Sequence, residues 1–145
     1  YNLFPMDLLG PIPGTNRFIF GLRHTNISLE KIISGGKIVV ADFPFSHKQE
    51  VFNLGKHHSS SPPPLSKLNF AVLKTKLFEF PFPEWASSYY EIEIQGSLDL
   101  GDQMFLLGDI KFHKERIKNS DALYEIHFLY LLYLKRKGCI NFPNE

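Results

Sequence analysis

Arg23-His24-Thr25-Asn26-Ile27-Ser28 brings a guanidinium, an imidazole, two hydroxyls and an amide together, just ahead of Leu29, Ile32 and Ile33. Those three apolar residues have the i, i+3, i+4 spacing of a helix face. A turn whose backbone N–H groups lead into a helix attracts an anion, and Arg and hydroxyl groups add charge-assisted hydrogen bonds. Arg23, Thr25, Asn26 and Ser28 are therefore phosphate candidates. The same residues also suit a plainer role, with Thr25 or Asn26 capping the helix and Arg23 solvated at the surface. The residues alone leave both readings open.

Other reactive side chains are less well placed. His57-His58 invites a metal, but adjacent residues rarely converge on one ion, and no Glu-x-x-His spacing completes a site. A solvated loop is the simpler reading. His127 is expected in a core or interface with its hydrogen bond satisfied. Cys139 and the Ser59-Ser60-Ser61 run lack a placed base and orienting group, so nucleophilic catalysis has little support. Ser87, Ser88, Asp99 and Asp102 read as turn residues.

The elements that must position these groups are mostly strands. Residues 98–110 (LDLGDQMFLLGDI) read as two short strands around a Gly101-Asp102 reversal, and Tyr90-Glu91-Ile92-Glu93-Ile94-Gln95 alternates as a half-buried strand does. Further strands are expected at 17–22, 37–41, 71–80 and 88–96, with Ile110 to His113 extending the ribbon. Residues 26–36 read as a short helix stopped by Gly35-Gly36. His47 to Gly55 reads as a helical turn or two, Pro62-Pro63-Pro64 as a loop, and Pro81-Phe82-Pro83 as a bend. The apolar run 122–134, preceded by Asn119-Ser120-Asp121 and followed by Lys135-Arg136-Lys137-Gly138, leans to a buried helix, although its Tyr, Phe and Ile also suit a strand. Residues 1–16, with Pro5 and Pro11, trace an extended or turning path.

The totals set bounds. At 145 residues the chain fits one domain, 1–145, large enough for a core without staples. No apolar run reaches the length of about 18 residues that a membrane helix needs, so no membrane association is expected. A formal net charge of +1, with acids and bases mixed, gives no nucleic-acid footprint. One cysteine excludes an intrachain disulfide and suits a reducing cytoplasm. With 14 Phe and 6 Tyr, a dense aromatic core is expected, and secondarily an aromatic pocket or subunit interface.

The LDLGDQMFLLGDI ribbon resembles the late strand pair of the flavin reductase-like, FMN-binding split β-barrel family. Other landmarks are similar in the same order. Asn2-Leu3-Phe4-Pro5-Met6-Asp7 is similar to the family's Asn-x-Met-Thr-like segment, which contacts the flavin. Leu22-Arg23-His24-Thr25-Asn26-Ile27-Ser28 resembles the turn where the FMN phosphate commonly lies, and Gly35-Gly36 with KIVVADFP resembles the glycine and strand that follow.

The resemblance implies a mainly β, split-barrel fold of antiparallel strands with one or two helices. It implies FMN as cofactor, NADH or NADPH as co-substrate and a homodimer. It implies Asn2, Phe4, Pro5 and Met6 beside the isoalloxazine ring, and Arg23, His24, Thr25, Asn26 and Ser28 around the rest of the flavin. Asp7 stands where a neutral Thr or Ser is common, so its carboxylate is expected to face away from a phosphate or to meet a cation. The family carries strands ahead of its Asn-x-Met segment; here the first strand is expected to be missing or to lie ahead of Tyr1. The expected activity is hydride transfer from a reduced nicotinamide to flavin and on to an acceptor. The alternatives are a non-catalytic electron carrier and a split barrel that has lost flavin.

Overall fold

In a computed structural model of the chain, the described residues are 9–55 and 68–118. Their elements run β1 (Leu9–Pro11), β2 (Arg17–Arg23), α1 (Leu29–Gly35), β3 (Lys37–Asp42), a 3-10 turn (Phe45–His47), α2 (Lys48–Gly55), β4 (Val72–Lys74), β5 (Pro81–Pro83), β6 (Ser88–Asp99) and β7 (Gln103–Glu115). Five of the strands form one antiparallel sheet in the order β1-β2-β7-β6-β3, while β4 and β5 pair separately.

The long β6–β7 hairpin is the spine of the sheet. Its reversal needs a residue at positive φ, and Gly101 supplies one at 93°. The Asp99 side chain accepts the Gly101 N–H at 2.9 Å, and Leu100 N donates to Gln103 O at 2.9 Å. Two register shifts leave one residue unmatched on each strand: Lys111 of β7, between the Glu91 and Ile92 pairs, and Gln95 of β6, between the Ile94 and Gly96 pairs. Such bulges bend a strand and increase its twist, which curls the sheet.

β2 alternates as its residue types require, burying Phe18, Phe20 and Leu22. Phe20 lies opposite Leu106 in the β2–β7 register. With Ile92, and with Leu29 and Ile32 from α1, these residues make the main core. Each fully buried side chain of this size contributes about 1.5–3 kcal/mol relative to exposure. α1 ends where Gly36 turns left-handed, at φ 64°, and donates its N–H to Ile32 O at 3.0 Å. A smaller cluster of Phe82, Ala86 and Tyr89 packs with Phe43 and Phe112.

Three expectations need correcting. The helix begins at Leu29 rather than near Asn26, because Asn26 Oδ1 accepts the Ser28 N–H at 2.9 Å and Asn26 O accepts the Leu29 N–H at 3.0 Å. This local turn competes with helix. The strand expected over 71–80 is only Val72–Lys74, and Pro81–Pro83, expected as a bend, is a strand. The chain turns at Glu79, with φ 55°, and the Leu77 and Phe78 N–H groups go to the Glu91 carboxylate instead of a strand partner. Prolines are tolerated in β5 because its sheet has only two strands.

The sheet order, the hairpin, the β2 and β3 strands and both helical segments otherwise agree with the mainly β split barrel. Residues 1–8, the His57-His58 loop, the run 122–134, His127 and Cys139 lie outside the described residues. Among the described residues no helix is long and apolar enough to cross a membrane.

Candidate functional site

The loop between β2 and α1 is tied to the β6–β7 reversal. His24 N donates to Asp102 O at 3.3 Å, and the His24 Nε2 lies 2.9 Å from Asp99 Oδ1. Asn26 N donates to Arg23 O at 2.9 Å, which tightens the first turn after β2. The strand pairing explains the juxtaposition. Arg23 sits opposite Gln103, so the end of β2 and the start of β7 reach the same edge of the sheet.

This loop, α1 and β7 enclose an open groove of about 500 Å³, within the size range of small-molecule sites. Ile27, Leu29, Ile33 and Met104 form its apolar wall. His24, Thr25 and Asn26 border it at the loop, with Glu30 and Ser34 from α1. Ile27 and Ile33 are 46% and 45% exposed, an apolar surface left open beside a polar loop.

The Asp99 carboxyl is held below the usual carboxylate range, first by the Gly101 N–H and then by the His24 imidazole. Both favour the charged form by donating to it. Farther along the hairpin, away from the groove, Lys111 Nζ lies 3.0 Å from Glu93 Oε2, and that carboxylate raises the lysine above its ordinary value.

Of the residues expected from the sequence, the structure gathers His24, Thr25 and Asn26 on one groove. Arg23 is exposed at the end of β2, one position ahead of the lining. Ser28 is half-buried with its N–H taken by Asn26, and the N–H groups of Asn26 and Leu29 are likewise used within the loop. The expected backbone cradle is thus largely spent, leaving side chains to supply the polar contacts. Asn2, Phe4, Pro5 and Met6, with Asp7, lie outside the described residues.

Asp99 and Met104 were not legible as site residues. Asp99 looked like part of a turn, which it is, and only the β2–β7 pairing brings it to His24. As a donor set, an imidazole, a hydroxyl and an amide beside a guanidinium suit an anionic group, while the isoleucine-and-methionine wall suits a planar apolar one. Together they suit a ligand that joins an anionic group to a planar apolar one.

Neither a protein-family model nor a curated protein matches the sequence. Solved structures do match. The flavin reductase component of a bacterial two-component tryptophan halogenase is 12% identical, with a TM-score of 0.70 over 81% of this chain and 73% of that one. Flavoredoxin from Methanosarcina acetivorans is 16% identical, with a TM-score of 0.64 over 77% of this chain and 59% of that one. The FMN-binding protein from Thermus thermophilus, solved with bound p-hydroxybenzaldehyde, is 19% identical, with a TM-score of 0.59 over 72% of this chain. This chain spans 59% of the length of that protein. At these identities the likeness is one of fold, and it agrees with the strand order and curled sheet described above: the chain has the split-barrel fold of these proteins.

Proposed function

We propose that the chain binds FMN in the groove between the β2–α1 loop, α1 and β7, and works as an oxidoreductase of flavin-reductase type. The observation that carries this reading is the apolar wall of Ile27, Ile33 and Met104 meeting the polar loop His24-Thr25-Asn26 on this fold. The apolar wall covers one face of the ring and excludes water from it, while Thr25 and Asn26 orient the polar tail. Arg23, exposed beside the groove, supplies the fixed positive charge that a phosphate needs. Ser28 holds the loop through its main chain. Asn2, Phe4, Pro5 and Met6 complete the ring side of the site by the resemblance alone. A flavin held there would supply the hydride and electron chemistry, with NADH or NADPH as co-substrate.

In this reading the protein acts in the cytoplasm as a homodimer. Leu98 and Leu100, 61% and 56% exposed at the β6–β7 reversal beside the groove, support a second copy at this end of the sheet.

The test is a visible spectrum of the purified protein, before and after FMN addition and desalting, followed by anaerobic NADH or NADPH. Retained flavin bands that bleach with either nucleotide support the reductase. Retained bands that do not bleach indicate an electron carrier. A well-folded full-length protein that retains no flavin overturns the proposal. Light scattering reads the dimer.

A further inference from the structure

The two strands β4 and β5 leave edges of opposite character. Thr75 N donates to Phe80 O at 2.9 Å and Glu84 N to Ala71 O at 3.0 Å, one bond beyond each end of the β4–β5 register. Bonded and non-bonded pairs alternate along an antiparallel ladder, so Leu73 and Phe82 form the bonded pair between them. The main-chain groups of Val72 and Lys74 on β4, and of Pro81 and Pro83 on β5, therefore point away from the partner strand. Proline has no N–H, so the outer edge of β5 offers no donor at either position. The outer edge of β4 offers donors and acceptors at both, and they have no partner among the described residues.

The side chains along that edge are also uncovered. Val72 and Leu73 are each 38% exposed, with Lys74 exposed beside them. Leu73 shares a face with Phe82, so it carries the cluster of Phe82, Ala86 and Tyr89 out to the open edge. Lys74 and the exposed Lys76 give this stretch its charge. Lys37 over the Phe78 ring and Arg116 over the Phe82 ring add positive charge from the main sheet, against Glu79 and Glu84. Glu91 is sealed from this surface, with its carboxylate given to the Leu77 and Phe78 N–H groups. A second copy would bring the same lysines to the edge, whereas an acidic strand meets them with opposite charge.

We propose that β4 is a docking edge for an extended segment of a partner protein in which apolar and acidic residues alternate, and which adds a third strand to the β4–β5 sheet. Main-chain hydrogen bonds to Val72 and Lys74 hold the segment. An apolar side chain of the segment packs beside Leu73, and a carboxylate on its other face pairs with Lys74. None of these residues lines the groove, so the inference is independent of the flavin reading.

The probe is a fluorescently labelled synthetic peptide alternating valine and glutamate, titrated with the full chain by anisotropy. A peptide alternating valine and lysine is its counterpart. The acidic peptide is expected to bind about tenfold more tightly than the basic one. Val72→Pro copies onto β4 the device that β5 already carries, removing an outward donor without breaking a β4–β5 bond. It is expected to weaken the acidic peptide about tenfold, in a protein whose thermal unfolding midpoint shows it folded. Lys74→Glu is expected to reverse the order of the two peptides. In the wild-type protein, the Val72 and Lys74 amide protons are expected to move downfield and gain protection from exchange as the acidic peptide binds, a readout that needs no variant. Undiminished binding to folded Val72→Pro, or amide shifts confined to other residues, overturns the inference. So does the absence of binding at about 1 mM peptide. Self-association that Val72→Pro abolishes would assign the edge to a second copy, and binding of phosphatidylserine vesicles in place of the peptide would assign the patch to a membrane surface; either result overturns the inference.

Discussion

The Glu91 carboxylate, buried completely within β6, accepts the Phe78 N–H at 2.6 Å and the neighbouring Leu77 N–H at 2.9 Å. A side chain of the main sheet thus closes the turn between β4 and β5, which is otherwise held by Thr75, whose N–H donates to Phe80 O and whose hydroxyl oxygen accepts the Phe80 N–H. Lys37 Nζ stands over the Phe78 ring at 5.1 Å and covers the same corner.

Replacing Glu91 with alanine should destabilise the protein by about 3 kcal/mol, because amide donors lose a charged acceptor away from bulk water. Glu91→Gln keeps one acceptor oxygen and should cost about 1 kcal/mol. Urea unfolding measures both. Hydrogen exchange at residues 77 and 78 should accelerate more than at β2 or β7 in either variant. Uniform acceleration across the sheet would show that the carboxylate supports the whole fold and not this turn.

Glycine at position 108 is required by a close approach between strands. A Cβ there would sit 2.3 Å from Ile92 Cγ2 and 2.9 Å from Glu93 O. Gly108→Ala should cost about 1–3 kcal/mol, since a main-chain oxygen cannot give way as a side-chain end can. Gly96→Ala, where a Cβ meets nothing within 4 Å, is the control and should change stability little. Thermal unfolding of the two variants decides it.

Asp99 gives an acid-range prediction. Its folded-state value is depressed by the Gly101 N–H and the His24 imidazole, so its contribution is present above the ordinary carboxylate value of about 3.9 and is lost as pH falls through the lowered one. Wild type should therefore exceed Asp99→Asn in stability between about pH 5 and 7, and the two curves should converge below about pH 3. Denaturation midpoints across that range provide the check. A constant difference at all pH values would point to a purely structural change in the turn.

Arg23 separates recognition from folding. Exposed and without an ion-pair partner among the described residues, it should be removable at a stability cost within about 0.5 kcal/mol. Arg23→Ala should nevertheless weaken FMN retention about tenfold while riboflavin binding stays unchanged, because only FMN carries the phosphate. Equal weakening of both ligands would place Arg23 against the ring instead.

Local pattern was enough for the β6–β7 ribbon, where Gly101 and the alternating flanks make the reversal obvious, and for β2, where Phe18, Phe20 and Leu22 share a face. It was enough for the glycine that ends α1. It failed at the start of α1, because Asn26 can satisfy backbone groups in a turn as well as at a cap, and nothing nearby decides between them. It failed at residues 71–83 because the deciding partner, Glu91, is supplied by a different sheet. Among site residues, His24, Thr25 and Asn26 were legible as a local cluster ahead of a helix. Asp99 was not, because its approach to His24 depends on pairing two strands distant in the chain.

That pairing also sets an order of assembly. β6 and β7 are joined by three residues, whereas β2 must find β7 across about eighty residues or more of intervening chain. Closing the long loop loses more conformational entropy before any contact rewards it, so the hairpin is the natural nucleus and β2 docks late. Substitutions in the Gly101 reversal should slow refolding, while those at Phe18 or Phe20 should chiefly speed unfolding. The groove, which needs the ends of β2 and β7 side by side, then comes into existence only at the last step. A ligand that fills it will bind the native state alone, and will lengthen the lifetime of the folded protein without hastening its formation.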